Sequence, residues 1–254
     1  MTYNEGMSDQ ATAELNAIME NAAQALAAMD YIQCEALCLR ALAQAQQGKD
    51  WAEYGRILMP LQECRRQRRM IAADGVIRLG TADLEGEPGQ WLERISCGCV
   101  VVTHPHAPAD AALLHEGARK RKHYIEVLYV DSQSTDARWT IRSHDGPDVV
   151  CEVDAPPDNW RDCWIDEPGN GEISKTATPG DWFIDATEQL GDAAMAGLAG
   201  LETEQNEPAS DVLIAQLEAC LRVVPDHELL HQRLSEVVQQ VRMAERCIKT
   251  EPRP

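Results

Sequence analysis

Between Cys97 and Val153 the apolar positions lose the three-to-four-residue spacing that dominates the rest of the chain and gather into short runs. Cys97–Thr103 is one such run, β-branched and continuous, as expected of a strand covered on both faces. Tyr124–Val130 is a second. The segment between them predicts a loop and a helix over Ala109–Lys122, with Pro108 near its first turn and Leu113, Leu114 and Ala118 turned to a sheet. Strand, helix and strand then make a right-handed crossover unit with a parallel pair. Arg138–Ser143 and Asp148–Val153 flank His144-Asp145-Gly146-Pro147, whose Asp-Gly signal predicts an antiparallel hairpin. Val76–Leu79 reads as a further short strand in an irregular connector.

Elsewhere the period is helical. A first helix is predicted over Ala11–Met29, with Leu15, Ile18, Met19, Ala22, Ala25 and Leu26 on one face and a frayed polar stretch before it. Asp30 with Gln33, and Asp50 with Glu53, have capping-box spacing and start two more helices. The second carries Ile32, Ala36, Leu39 and Ala43 as its apolar stripe. The third runs through Tyr54, Leu58 and Leu61 towards Met70. Pro60 inside it costs about 3 kcal/mol and predicts a kink, or a break near Met59. Residues 154–177 form a polar loop pinned by Trp160 and Trp164. Thr178-Pro179-Gly180-Asp181 starts a helix to about Ala199 through Trp182, Phe183, Ala186, Leu190 and Ala194, followed by a solvated linker at 201–208. Ser210–Val224 then carries Leu213, Leu217, Cys220, Leu221 and Val224. Asp226 caps a last helix striped with Leu230, Leu234, Val237 and Val241.

Asp30-Tyr31, Cys34, Cys38 and Ala41-Leu42 have the spacing of core positions in a tetratricopeptide repeat. The segment 14–47 resembles one such repeat, with Gln46 where the repeat has proline. Cys220-Leu221 followed by Pro225 resembles its closing part. The resemblance implies helical hairpins and a role in protein–protein contacts. Two incomplete repeats fall short of the three that a stacked array needs, so a continuous peptide groove is not implied. The helical–α/β–helical layout is also similar to that of uncharacterised bacterial proteins, which implies no activity. The expected fold class is α+β, with a mixed sheet between helical ends. The expected division is a helical segment over 1–71, a small α/β domain over 72–177 and a second helical segment over 178–254.

Composition narrows the function. Apolar residues make up 44% of the 254, enough for a core, but Phe183 is the single phenylalanine, so Leu, Val, Ile and Ala must fill it. The formal charge is −19, from 42 acidic against 23 basic residues, which argues against nucleic acid or an anionic membrane as partner. The clusters Arg65, Arg66, Arg68, Arg69 and Arg119–Lys122 fall near predicted helix C-termini, where cations complement the macrodipole. No apolar run reaches the length of a membrane span, and MTYNEGMSDQ lacks the features of a secretory signal. The nine cysteines are scattered in apolar segments, as in a cytoplasmic protein whose thiols stay reduced.

Candidate chemistry is sparse. Cys97, Cys99, His104 and His106 are all zinc-ligand types. On a straight strand, however, Cys97 and Cys99 sit about 7 Å apart and about 16 Å from His104, so only a bulge at Gly98 or a bend unites them. His104 and His106, with Asp131 nearby, lie at the carboxyl end of a parallel strand, where open α/β sheets bind ligands. The loop lacks glycines, and Pro105 and Pro108 remove two amide donors. His227 and His231 are one turn apart and read as solvent-facing. Signatures of serine hydrolases, P-loop enzymes and zinc proteases are absent. The expectation is a non-enzymatic interaction or scaffold protein with protein partners and no cofactor. The alternative is a small-molecule- or metal-binding α/β domain, or a weak enzyme, with its site at the strand edge near His104 and His106, zinc being the metal considered.

Overall fold

A computed structural model describes residues 3–74, 77–79, 88–93, 96–133, 138–156, 179–204 and 210–250. The predicted loop around Trp160 and Trp164 lies outside them. Three helices open the chain: α1 (Tyr3–Ala27), α2 (Tyr31–Gln47) and α3 (Trp51–Asp74). The Asp30 carboxylate accepts the Gln33 amide at 3.0 Å and Asp50 accepts that of Glu53 at 3.1 Å, so both predicted caps form. The helix α1 starts at Tyr3, well before the predicted Ala11. Helix α3 continues through Pro60 rather than breaking at Met59.

The middle of the chain builds a five-stranded sheet of order β1-β2-β3-β4-β5. Its strands are β1 (Ile77–Leu79), β2 (Cys97–Thr103), β3 (Tyr124–Gln133), β4 (Arg138–Arg142) and β5 (Val150–Asp154). The first three are parallel, and β4 and β5 add antiparallel. The one-turn helix α4 (Pro88–Trp91) precedes β2, and α5 (Pro108–Lys120) joins β2 to β3. The chain ends with α6 (Pro179–Glu204), α7 (Ser210–Val223) and α8 (Glu228–Thr250). The predicted linker at 201–208 is thus helical as far as Glu204.

Both faces of the sheet are covered, which explains the unbroken apolar runs. Val100, Val102, Ile125 and Val127 pack on Trp91 of α4 and on Ala111, Leu114 and Ala118 of α5. Leu113, expected to face the sheet, is 59% exposed. On the opposite face Cys99, Val101, Leu128, Val130, Trp139, Ile141 and Val153 meet Trp182, Phe183, Ala186 and Leu190 of α6 and Ala72 of α3. The result is an α+β fold whose sheet lies between helices from both ends of the chain.

Those two ends share one core. Leu15, Ile18 and Ala22 of α1 and Leu58 and Leu61 of α3 belong to the same apolar cluster as Leu217 of α7 and Leu230, Leu234 and Val237 of α8. Polar ties support the join: Tyr54 Oη donates to Glu218 at 2.5 Å and Trp51 Nε1 to Glu245 at 3.2 Å. On α2 the buried face carries Ile32, Cys34, Leu37, Cys38, Ala41, Leu42 and Ala45, whereas Ala36, Leu39 and Ala43 are exposed. Of the predicted stripe only Ile32 is buried, whereas the core positions of the repeat spacing, Cys34, Cys38, Ala41 and Leu42, all are. The small cysteines, not Leu39, let α2 approach its neighbours.

Candidate functional site

Helix α3 turns an unusual face inward. Among its buried residues Arg65 and Arg68 stand beside Leu61, Cys64 and Ala72. These arginines are not placed at a helix end to complement its dipole, as their sequence position suggested; carboxylates from other elements enclose them. Glu35 of α2, fully buried, accepts from Arg65 Nε at 2.9 Å and from Arg68 Nη1. Arg119 Nη2 of α5 reaches Glu35 at 3.1 Å. Arg68 Nη2 also donates to Glu126 Oε1 of β3 at 2.7 Å. His115 of α5 lies 3.8 Å from Glu126, and its Nδ1 is 3.3 Å from Nε2 of His144.

Competing effects set the charges there. Burial pushes the Glu35 carboxyl up, but the guanidiniums of Arg68, Arg65 and Arg119 outweigh it and hold its pKa at about 2. Glu126 is likewise held below the ordinary carboxylate range: burial opposes ionisation and Arg68 overcomes it. Burial drives His115 down to about 3, so its ring is neutral beside two arginines. This centre is sealed, and it clamps α2, α3, α5 and β3 together.

One residue further along α3 a second centre opens outward. Arg69 Nη2 bonds Glu188 of α6, and its Nε lies 2.9 Å from Asp226 Oδ2 in the turn before α8. The Asp226 side chain is 4% exposed. Burial raises its pKa to about 6, against the pull of Arg69. Among the described residues Asp226 Oδ2 has no partner besides that ion pair, and Arg69 Nη1, also buried, has no hydrogen-bond partner. Asp226, expected as the cap of the last helix, is turned inward instead. The Leu230 amide donates to His227 Nδ1 at 3.4 Å, and His227 Nε2 lies 3.2 Å from Asp192. His227 and His231 are each 2% exposed, which corrects the expectation that they face solvent.

Arg69 and Asp226 lie against a cleft of about 340 Å3 between α3, α6 and the start of α8. Met59, Gln62, Glu63, Arg66, Glu188 and Glu228 complete its lining. The lining can donate and accept hydrogen bonds and carries charges of both signs. Among the described residues its lining carries carboxylates and guanidiniums but no serine, threonine, cysteine or lysine. A second, apolar cleft of about 450 Å3 lies between the β4–β5 turn, α6 and α7, with Val149, Ala194, Leu198 and Ala219 in its wall.

The residues singled out in the sequence do not assemble into a site. Cys99 is fully buried on the α6 side of the sheet, and Cys97 Sγ lies 3.5 Å from the Ile71 carbonyl. Burial raises the pKa of both thiols. His104 is exposed, and His106 sets its ring edge-on to Trp91, centroids 4.9 Å apart, on the α5 side. The two pairs thus diverge across the sheet. Among the described residues no three His, Cys, Asp or Glu side chains converge as metal ligands. Asp131 sits at the register shift of β3 and is bound by Arg142 at 3.2 Å. Neither cleft is lined by His104, His106 or Asp131.

The missed residues carried a faint signal. Arg65, Arg68 and Arg69 share the helical phase of Leu58, Leu61 and Ala72, and Glu35 adjoins Cys34. Charges on an apolar stripe announce buried partners. Compared with protein-family models, curated proteins and solved structures, the chain matches none.

Proposed function

We propose that this protein is a non-enzymatic, cytoplasmic interaction module and that the cleft between α3, α6 and the start of α8 is its recognition site. One observation carries the reading: the cleft gathers carboxylates and guanidiniums from three elements on one concave surface. The lining offers charges of both signs and hydrogen-bonding groups, which suits binding of a polar surface. Cys34, Cys38, Cys64, Cys97, Cys99, Cys151 and Cys220 are free thiols, which suits a reducing compartment.

Affinity capture from the protein's own cell extract tests the reading, using the intact chain and the variant Met59→Trp. Met59 is 78% exposed at the cleft, so an indole there fills the cleft without disturbing the core. The expected result is a protein captured by the parent and lost from the variant at equal thermal stability. Capture of the same proteins by both overturns the assignment of the cleft.

A further inference from the structure

We propose that His144 is a proton-operated plug on the buried arginine–glutamate centre: neutral, it accepts a hydrogen bond from His115 and closes the centre, and protonated, its ring swings out and admits water.

The neighbours of the two rings fix their tautomers. Arg68 Nη2 lies 3.4 Å from His115 Nε2. A guanidinium nitrogen carries hydrogens and cannot accept, so the ring nitrogen that faces it must be bare. The proton of neutral His115 therefore sits on Nδ1 and is donated to His144 Nε2, 3.3 Å away. His144 then keeps its own proton on Nδ1. The opposite arrangement would aim His115 Nε2–H at the guanidinium, with Glu126 Oε2 at 3.8 Å, beyond hydrogen-bond reach.

A second proton has no tolerable place inside. On His115 Nε2 it would set a cation against Arg68, with Arg119 also near. On His144 Nε2 it would set N–H against N–H and end the bond. Of the two rings His144 is the one free to leave. It is half-buried at the start of the β4–β5 turn, next to Asp145, whereas His115 is buried on α5 between Glu126 of β3 and Arg68 of α3. Burial holds the His144 pKa below the ordinary value against the pull of Asp145 and Glu126, so the proton favours the ring turned out to solvent over the ring in place. The movement is the side chain's own, because the turn is tied down elsewhere. Ser143 Oγ donates to the Pro147 carbonyl at 2.7 Å, and a Cβ at Gly146 would lie 2.7 Å from the Ala219 carbonyl of α7.

The test is NMR of the isotope-labelled full chain. Long-range proton–nitrogen spectra at pH 7.5 should show both rings in the Nδ1–H form; His144 in the Nε2–H form overturns the proposal. The second reading is hydrogen exchange of the Arg68 Nε–H, which donates to Glu126 at 3.2 Å, expressed as protection relative to the unfolded chain. With a ring that titrates near 6.5 when turned out, the open population rises about tenfold between pH 7.5 and 5.5, and protection should fall by that factor. His144→Gln offers His115 Nδ1 an acceptor oxygen that takes no proton, so its protection should change less than about twofold over the same range. His144→Ala lacks the plug and should be poorly protected at both pH values. Equal losses in the parent and His144→Gln would mean that acid acts through the whole fold. Any of three results overturns the proposal: those equal losses, unchanged protection in the parent, or full protection in His144→Ala.

Discussion

Arg68 Nη2 donates to Glu126 Oε1 at 2.7 Å, and this pair joins the helical layer to the sheet. The same guanidinium bonds Glu35 through Nη1, so one side chain of α3 holds α2 and β3 at once. Its side chain is 2% exposed. Solvent cannot replace a lost partner in such a place.

Truncating Arg68 should therefore be severe. Arg68→Ala leaves Glu126 without its guanidinium and is expected to cost about 3–5 kcal/mol, read from the urea midpoint. Arg68→Met with Glu126→Gln should cost less than the sum of the single changes, because the second removes the charge that the first strands. Additive losses would show that the two residues do not act as a pair.

His115 gives the fold an acid sensitivity. Its folded pKa, about 3, lies below the ordinary 6.5 because burial disfavours the imidazolium. The unfolded chain therefore binds more protons between those values, and stability rises with pH across that window. The contribution is fully present above pH 6.5 and is lost as pH falls towards 3. Its slope approaches about 1.4 kcal/mol per pH unit. Urea titrations between pH 4 and 7 should show a flatter dependence in His115→Gln than in the parent; parallel curves would refute the assignment.

Asp226 acts with the opposite sign. Its folded pKa is raised from 3.8 to about 6 by burial. The folded state holds the proton more tightly, so this contribution is present below about pH 4 and is lost as pH rises through 6. Asp226→Asn should gain on the parent as pH rises, by up to about 3 kcal/mol between pH 4 and 7.5. Chemical denaturation at the two pH values checks it, and a difference that does not change with pH counts against a buried carboxyl at this position.

Gly191 is held by packing. A Cβ there would lie 2.3 Å from Cδ2 and 2.7 Å from Cγ of His227. Exchanging glycine for alanine inside a helix ordinarily stabilises by about 1 kcal/mol. Gly191→Ala should instead destabilise by about 1–3 kcal/mol, because the ring must move. Thermal melting of Gly191→Ala in the background of His227→Ala should recover the ordinary gain. A stabilised single variant would mean that α6 does not approach the ring this closely.

The sheet was legible in the sequence because its determinants are local. Apolar runs at Cys97–Thr103 and Tyr124–Val130, and the Asp145-Gly146 turn between two short strands, marked β2, β3 and the β4–β5 hairpin. Asp30 and Asp50 marked helix starts by satisfying amides three residues away. On α2 the hydropathy stripe through Ala36, Leu39 and Ala43 missed the buried face, which the repeat spacing of Cys34, Cys38, Ala41 and Leu42 marked; cysteine weighs less than leucine in a hydropathy pattern, though its size is what allows close packing. The polar centres were read as helix-end charges and surface histidines because their partners are distant in the chain. Arg68 and Glu126 stand 58 residues apart, and Arg65 meets the Pro225 carbonyl across 160.

By itself the sequence determined the class of the fold, the parallel-then-antiparallel run of strands and most helix starts, since apolar period, turn chemistry and capping act over a few residues. Tertiary structure alone decided that both helical ends share one core, that Arg65, Arg68 and Arg69 lie beneath the surface, and that Asp226 turns from a cap into the floor of a cleft. Those outcomes depend on which distant charges burial brings together, because desolvating an ion is tolerable only beside its counter-ion, and a counter-ion from another element has no position until the chain has folded.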